Sequence, residues 1–296
     1  MSYRERWRYL AYGLRQVMGS FGSRALAHPA RCDLGREEVR SKVDQGASPL
    51  RVYTCALMDQ VDLRFLGAGG PICDLGCGSG QHSRFFERCN GRHFYIGLDH
   101  VFRPQWSQGA PGETIPRRFA QMSVTQLGLA SDSLAFTFSS STLEHVTDPA
   151  QTIQELKRTM RPGAYGVHVV PGVWALFLYM FHGYRRFSPA TLTALARDAG
   201  LEVVRVWALG GTASFFLHAL WITWLEQGAV YGWLIPPPPP GERSWVRFFY
   251  IGGRMRSGFM RTLYAGALRV ALHIDRWMPW LPAGYGLLIR KPAEAA

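Results

Sequence analysis

The chain has 296 residues, enough for one large α/β domain with an added segment, and hydrophobic residues at 47% allow a substantial core. Its formal net charge of +12 indicates an anionic partner, either phospholipid or nucleic acid, or else reflects a genome rich in G and C, since nearly all of the positive charge is arginine. The five cysteines, an odd number without a CxxC pair, argue against a disulfide framework or a zinc site and favour a reducing, cytoplasmic compartment.

The first 18 residues predict a basic amphipathic helix. Trp7, Leu10, Leu14 and Met18 are three or four residues apart, and arginines lie between them. Such a helix lies on an anionic membrane or packs over the entrance of a site, and both interpretations stay open. Charges interrupt the apolar residues before Arg15, so this is not a secretory signal. Residues 19–49 have loop composition, and residues 50–66 predict a helix.

A glycine-rich turn follows a short buried strand that ends at Cys73. Gly76, Gly78 and Gly80 stand at alternate positions, where the backbone must turn sharply and approach a ligand closely. Residues 81–89 have helical composition, so the turn is expected to present unpaired amide N–H groups at a helix N-terminus.

A second strand, residues 94–98, ends in an acid. A carboxylate at that place, Asp99, can accept both hydroxyls of a ribose, so turn and acid together predict a nucleoside-containing cofactor. The dinucleotide pattern GxGxxG would need a small residue where Gln81 stands, whereas Asp74 and the glycines fit DxGxGxG.

This pattern resembles the first motif of the class I S-adenosylmethionine (SAM)-dependent methyltransferases, of the type 11-like group. Further motifs of that family occur in the same order: a fourth strand followed by LEHV at 143–146, LKRTMRPG at 156–163, FSPATLTALARDAGLEVVRV at 187–206, and a closing strand at 285–290.

The resemblance implies an α/β fold, a doubly wound, mostly parallel seven-stranded sheet. The expected organisation is a helical, basic extension at 1–50, a SAM-binding core at 51–209 plus 283–296, and a largely helical insertion at 210–282 before the last strand.

The resemblance also implies a set of cofactor-binding residues. The third strand is expected at 117–122, and Ser123 stands where the family usually has an acid, so adenine should be held by backbone near Val124 and by apolar packing. The residues expected to bind SAM are Asp74, Gly76, Cys77, Gly78, Gly80, Asp99, His100, Ser123, Val124 and Ser140.

Acceptor chemistry is expected at the end of the fourth strand and after the fifth. His145 is a candidate general base, although the family's Glu-His pair more often shapes the cofactor pocket. His182, Tyr184 and Arg185 lie where the family commonly binds its acceptor, or they belong to a helix packed on the sheet. No acidic cluster supports a metal site.

The insertion mixes Trp, Phe and Tyr with arginine on both sides of the proline run at 236–240. His218, Glu226 and Gln227 argue against a membrane span at 212–235, because each would sit in or near hydrocarbon. We therefore expect a lid or a membrane-surface element, with peripheral contact through 1–18 and 210–282 at the inner face of the membrane.

The predicted function is SAM-dependent methylation, preferably at oxygen, of a hydrophobic or lipid-linked small molecule or glycan. One alternative is a non-catalytic scaffold with the same fold; another is an NAD(P)-dependent oxidoreductase, which Gln81 disfavours. Nucleic acid is a weaker candidate, since no NPPY-type motif follows the fourth strand and apolar residues separate the arginines.

Overall fold

A computed structural model describes residues 7–8, 11–15, 18, 27–61, 63–66, 69–87, 89, 92–107, 115–178, 183, 185–226 and 258–293. Within these ranges eight strands form one sheet in the order β1-β7-β8-β6-β5-β2-β3-β4. The strands are β1 (His28–Pro29), β2 (Gly70–Leu75), β3 (His93–Asp99), β4 (Arg117–Gln121), β5 (Leu134–Ser140), β6 (Met160–Pro171), β7 (Glu202–Leu209) and β8 (Gly284–Arg290).

Strand β8 runs antiparallel to β6 and β7, and all other pairs are parallel. The predicted mostly parallel sheet is therefore confirmed, but the strand number of seven is wrong. The extra strand is β1, whose two residues pair with the outer side of β7. A two-residue edge strand leaves no periodic pattern in a sequence, so it went unpredicted.

The helices are α1 (Glu37–Asp44), α2 (Pro49–Gln60), α3 (Pro149–Thr159), α4 (Pro189–Asp198), α5 (Thr212–Leu217), which continues as a π-helix (His218–Glu226), and α6 (Gly258–Ile274). Short 3₁₀ segments lie at Leu63–Leu66, Gln81–Phe86, Pro104–Ser107, Leu143–His145 and Val173–Leu176. In the part of the chain described, no helix is long and apolar enough to cross a membrane.

Two sequence-based expectations fail here. Residues 37–44 form α1 rather than loop, because Val39 and Val43 bury one face of it. The helix expected over 81–89 is a 3₁₀ turn at Gln81–Phe86, which begins after Gly80 in the left-handed conformation.

The sheet separates two apolar cores. One contains Phe136 and Phe138 of β5 with residues of α2 and α6, and the other contains Leu75 of β2 with residues of α3 and α4. Because both faces are covered, the fold is doubly wound, as predicted.

The order of the strands reverses between β2 and β5. From β2 the chain proceeds outward through β3 and β4, and it then returns to pair β5 with the opposite side of β2. Open α/β sheets bind ligands in the crevice at the carboxyl ends of such a pair. In this chain that crevice is bordered by the glycine-rich turn and by residues 141–147.

Candidate functional site

The glycine-rich turn leaves β2 with left-handed backbone at Gly76, Gly78 and Gly80, whose φ angles are +69°, +57° and +84°. A Cβ at Gly76 would fall 2.6 Å from Thr142 Cγ2, and one at Gly80 would fall 2.5 Å from Phe119 Cε1. A Cβ at Gly78 would meet nothing within 4 Å. Packing therefore requires glycine at the two outer positions, Gly76 and Gly80. Gly78, between them, borders open space in which a ligand can approach the backbone.

The amide groups of the turn are not free. Gly76 and Cys77 both donate to the carbonyl of Leu98, at 2.7 and 3.0 Å, and Gly80 donates to the carbonyl of Cys77 at 2.9 Å. The expectation of unpaired amides at 76–80 is therefore wrong for these three. The cause is the neighbouring strand β3, whose last carbonyls extend the parallel ladder into the turn.

Asp99, the last residue of β3, lies against the turn. Its Oδ2 accepts a hydrogen bond from the Gly78 amide at 3.0 Å, and its Oδ1 accepts one from Val101 at 3.0 Å. The exposed His100 ring has Nδ1 3.1 Å from the same Oδ1. Each carboxylate oxygen offers about two acceptor positions, so Oδ2, which accepts only from Gly78 among the described residues, can still accept a ligand hydroxyl. The structure thus brings together the turn and the acid as the sequence predicts.

Asp74, near the end of β2, is fully buried. Its Oδ2 accepts the hydroxyl of Tyr95 at 2.5 Å and lies 3.1 Å from His82 Nδ1. Its Oδ1 is buried without a hydrogen-bond partner among the described residues. A buried acceptor left unpaired costs about 1–3 kcal/mol, so this oxygen fits a site completed by a donor from a ligand.

Two aromatic residues beside the turn were missed by the sequence analysis. Trp106 donates its indole N–H to the carbonyl of Gly78 at 2.8 Å, and its ring stacks on Phe119 with centroids 5.5 Å apart. Phe119 in turn packs against Gly80. Trp106 lies in the short 3₁₀ segment Pro104–Ser107, seven residues after Asp99, where no spacing rule identifies a contact of this kind.

The remaining expected cofactor residues lie at the same edge of the sheet in different environments. Ser123 is exposed, with its hydroxyl 2.8 Å from that of Thr125, and Val124 beside it is half-buried. Ser140 is the half-buried last residue of β5. Cys77 is buried, and burial raises the pKa of its thiol well above the usual range, so it is not a nucleophile.

A buried acid follows β5 in the Leu143–His145 turn. Glu144 is 1% exposed, and burial raises its carboxyl pKa to about 7. Its Oε2 has no partner among the described residues, and its Oε1 lies 3.9 Å from Nε2 of the exposed His145. Thr142, which precedes this turn, contacts Gly76, so the acid and the histidine lie near the glycine-rich turn.

Of the three expected acceptor residues, His182 and Tyr184 lie outside the described residues. Arg185 donates to the carbonyl of Thr147 at 2.7 Å and stands 5.9 Å from the ring centroid of Tyr12. It lines a cleft of about 350 Å³ together with Phe187 and residues of α3 and α4. Within the described ranges, no group of three His, Cys, Asp or Glu side chains is arranged to hold a metal ion.

A family model described as a methyltransferase domain matches residues 73–167. Among solved structures, the [4+2]-cyclase SpnF is 18% identical, with 96% of this chain and 93% of that chain covered and a TM-score of 0.53. A SAM-dependent methyltransferase from Archaeoglobus fulgidus is 13% identical, with 86% and 100% covered and a TM-score of 0.50. No curated protein matches the chain. At these identities the structural neighbours show the fold, and the family model identifies the domain.

Proposed function

We propose that the chain is a class I SAM-dependent methyltransferase with SAM as its cofactor, and that it methylates a hydroxyl oxygen of a hydrophobic acceptor. The acceptor is a small molecule or a lipid-linked glycan. The observation that carries the proposal is the hydrogen bond from Gly78 N to Asp99 Oδ2, at 3.0 Å, which joins the turn and the acid in one crevice.

The residues around the crevice suit the parts of SAM. Asp99 Oδ2 has an acceptor position for a ribose hydroxyl, and Asp74 has a buried oxygen without a partner among the described residues, which suits a donor near the turn. The open space beside Gly78 lets the backbone approach the ligand. Ser123 and Val124, just after β4, are our candidates for the adenine edge.

The chemistry needs little from the protein beyond alignment. SAM, when bound, supplies a methyl group already activated by a sulfonium charge. The side chains must therefore hold the acceptor in line, exclude water and, for a hydroxyl, remove one proton. His145 is the proposed base because it is exposed to the crevice edge, and the buried Glu144 beside it is the proposed positioning residue.

The apolar character of the acceptor is inferred from the segment inserted between β7 and β8. Leu178 lies seven residues beyond Pro171, the last residue of β6. It packs in one cluster with Phe215 of α5 and Ala283. The inserted helices therefore meet the core at the carboxyl edge of the sheet, where an acceptor would enter. This position supports a role of the insertion in acceptor choice.

Equilibrium titration with SAM and with S-adenosylhomocysteine tests the cofactor site. The wild-type protein should bind both, and Asp99→Asn should weaken them by about 1–3 kcal/mol, since one charge-assisted acceptor is lost. Asp148→Asn, an exposed N-cap whose replacement keeps the cap, is the matched control. Stronger binding of NADP than of SAM would support an oxidoreductase and contradict the proposal.

Transfer itself is tested with methyl-labelled SAM and a cell extract separated into organic and aqueous fractions. We expect label in the organic fraction, and less of it with His145→Gln although SAM affinity is unchanged. Wild-type protein that binds SAM but labels neither fraction would favour the non-catalytic scaffold.

A further inference from the structure

Helix α6 has two apolar faces, and only one of them packs on the part of the protein that the structure describes. Tyr264, Leu268 and Leu272 are buried against the core. The other apolar face is exposed. It consists of residues four or seven positions apart, which therefore lie on one side of the helix: Phe259, exposed to 74%, Leu263, Val270 and Ile274. A helix in a soluble surface would carry polar residues on that side, so the outer face is built for contact with something apolar.

Two tryptophans continue this outer face beyond the end of α6. Trp277 and Trp280 are 78% and 65% exposed. On α5 and its π-helical continuation, Phe216, Leu220 and Trp224 are also exposed, at intervals of four residues. The N-terminus of α5 is joined to the chain after α6, because Thr212 N donates to the carbonyl of Met278 at 2.8 Å. The two exposed rows therefore belong to one helical pair.

The helical residues near the N-terminus repeat the arrangement. Trp7, Leu14 and Met18 are exposed to 48%, 43% and 74%, whereas Gly13 lies against Leu176. Tyr12 of the same segment lines the cleft beside Arg185, so packing at the entrance of the site and contact with a membrane both stay open for this helix. Leu176 ends the Val173–Leu176 turn, two residues before Leu178, which packs with Phe215 of α5.

The charge of these segments favours one occupant. Helix α6 contains no acidic residue, and its two arginines lie toward α1, where Arg269 pairs with Asp44 and Arg261 borders the same acid. In the N-terminal residues, Arg8 and Arg15 are exposed beside Trp7 and Leu14. Protein interfaces are depleted of charge at their centre and need a complementary shape. Aromatic side chains that protrude from several helical segments, with exposed arginines beside those of the N-terminal residues, instead suit the headgroup region of an anionic bilayer.

We infer that the outer faces of α5, α6 and the N-terminal helical residues form a docking surface for an anionic lipid bilayer, beside the carboxyl edge of the sheet. The helices lie in the interface and do not span it, which agrees with the lack of a spanning helix among the described residues. A lipid-linked acceptor would then reach the crevice without leaving the membrane; this last consequence rests on the proposed function, whereas the docking surface does not.

Co-sedimentation with vesicles tests the surface. The wild-type protein should sediment with vesicles of phosphatidylcholine and phosphatidylglycerol, less with phosphatidylcholine alone, and less at high salt. The triple variant Phe259→Ser, Trp277→Ser, Trp280→Ser should bind at least about a hundredfold more weakly, since three large apolar side chains no longer insert. Arg8→Gln with Arg15→Gln should reduce the preference for phosphatidylglycerol.

Val204→Ser, an exposed apolar residue on β7, is the matched control and should bind as the wild type. SAM titration of every variant shows that the fold is intact and separates this test from the test of the cofactor site. Wild-type protein that stays in the supernatant with both vesicle types, or a triple variant that binds unchanged, would refute the surface. A dimer that the triple variant dissociates would identify a protein interface and refute it equally.

Discussion

The glycine-rich turn and the α5–α6 pair lie near one edge of the sheet, yet they are stabilised in different ways. In the turn, residues close in sequence pack on two neighbouring strands, and the outer glycines fit against Thr142 and Phe119. In the helical pair, one buried acid joins distant segments: Asp275 accepts from Ala213 and Ser214 of α5 and from Tyr53 of α2. The turn therefore has no room for an added atom at Gly76 or Gly80, whereas the pair adds the polar contacts of Asp275 to its packing on the core and leaves apolar faces outside.

The largest effect is expected where this close packing is disturbed, in Gly76→Ala. The left-handed backbone at φ +69° and a Cβ only 2.6 Å from Thr142 Cγ2 should together cost roughly 3 kcal/mol or more of the free energy of unfolding. Gly163→Ala is the matched control, because its φ of +77° is similar but a Cβ there meets nothing within 4 Å. It should cost only about 1 kcal/mol. Urea unfolding measures both, and equal losses would show that packing at the turn is unimportant.

The second largest effect is expected at the joint of the helical pair, in Asp275→Ala. The carboxylate accepts from two α5 amides at 2.9 and 3.1 Å and from the buried Tyr53 hydroxyl at 3.0 Å. Removing it leaves three donors unpaired, which should cost about 2–4 kcal/mol. Asp148→Ala, which removes a side chain that accepts one amide at the start of α3, should cost about 1 kcal/mol.

Hydrogen exchange locates the damage caused by Asp275→Ala. Amides of α5 should exchange faster while those of β2 and β3 keep their protection, because the hydrogen bonds that are lost hold the start of α5. A loss no larger than that of Asp148→Ala would mean that Asp275 acts as an ordinary helix cap and does not join α2 to the pair.

The same contrast explains what the sequence predicts and what it does not. The strands other than β1 follow from runs of apolar residues, and the convergence of Gly78 with Asp99 follows from a motif within thirty residues, so local rules suffice for both. The pairing of the turn amides with Leu98, the stacking of Trp106 on Phe119 and the Tyr53–Asp275 bond depend on how separate segments meet. No spacing within one segment encodes those contacts, so they became visible only in three dimensions.

The smallest of these effects is a pH dependence of the free energy of unfolding. It concerns Glu144, a buried acid near the glycine-rich turn, and so extends the comparison of the turn with the α5–α6 pair to a titratable group. Burial raises the pKa of Glu144 from 4.5 to about 7, so the folded protein prefers the protonated acid. The unfolded chain loses its proton near pH 4.5, and stability therefore falls as pH rises from there to about 7 and is constant above. Glu144→Gln removes this dependence, and its stability relative to wild type should rise by about 2 kcal/mol between pH 5 and pH 8.

Glu155→Gln is the control of opposite sign. The Arg158 side chain donates to Glu155 and lowers the pKa of that carboxyl, so its contribution is present at neutral pH and is lost as pH falls. Relative to wild type, Glu155→Gln should therefore be least stable at neutral pH, and the difference should shrink in acid. Urea unfolding of both variants from about pH 3 to about pH 8 gives the two slopes, that of Glu155→Gln below about pH 4.5 and that of Glu144→Gln above it. A stability difference between Glu144→Gln and wild type that stays constant above about pH 5 would show that Glu144 is ionised like a surface acid. The buried acid beside His145 would then have no special proton affinity to contribute to catalysis.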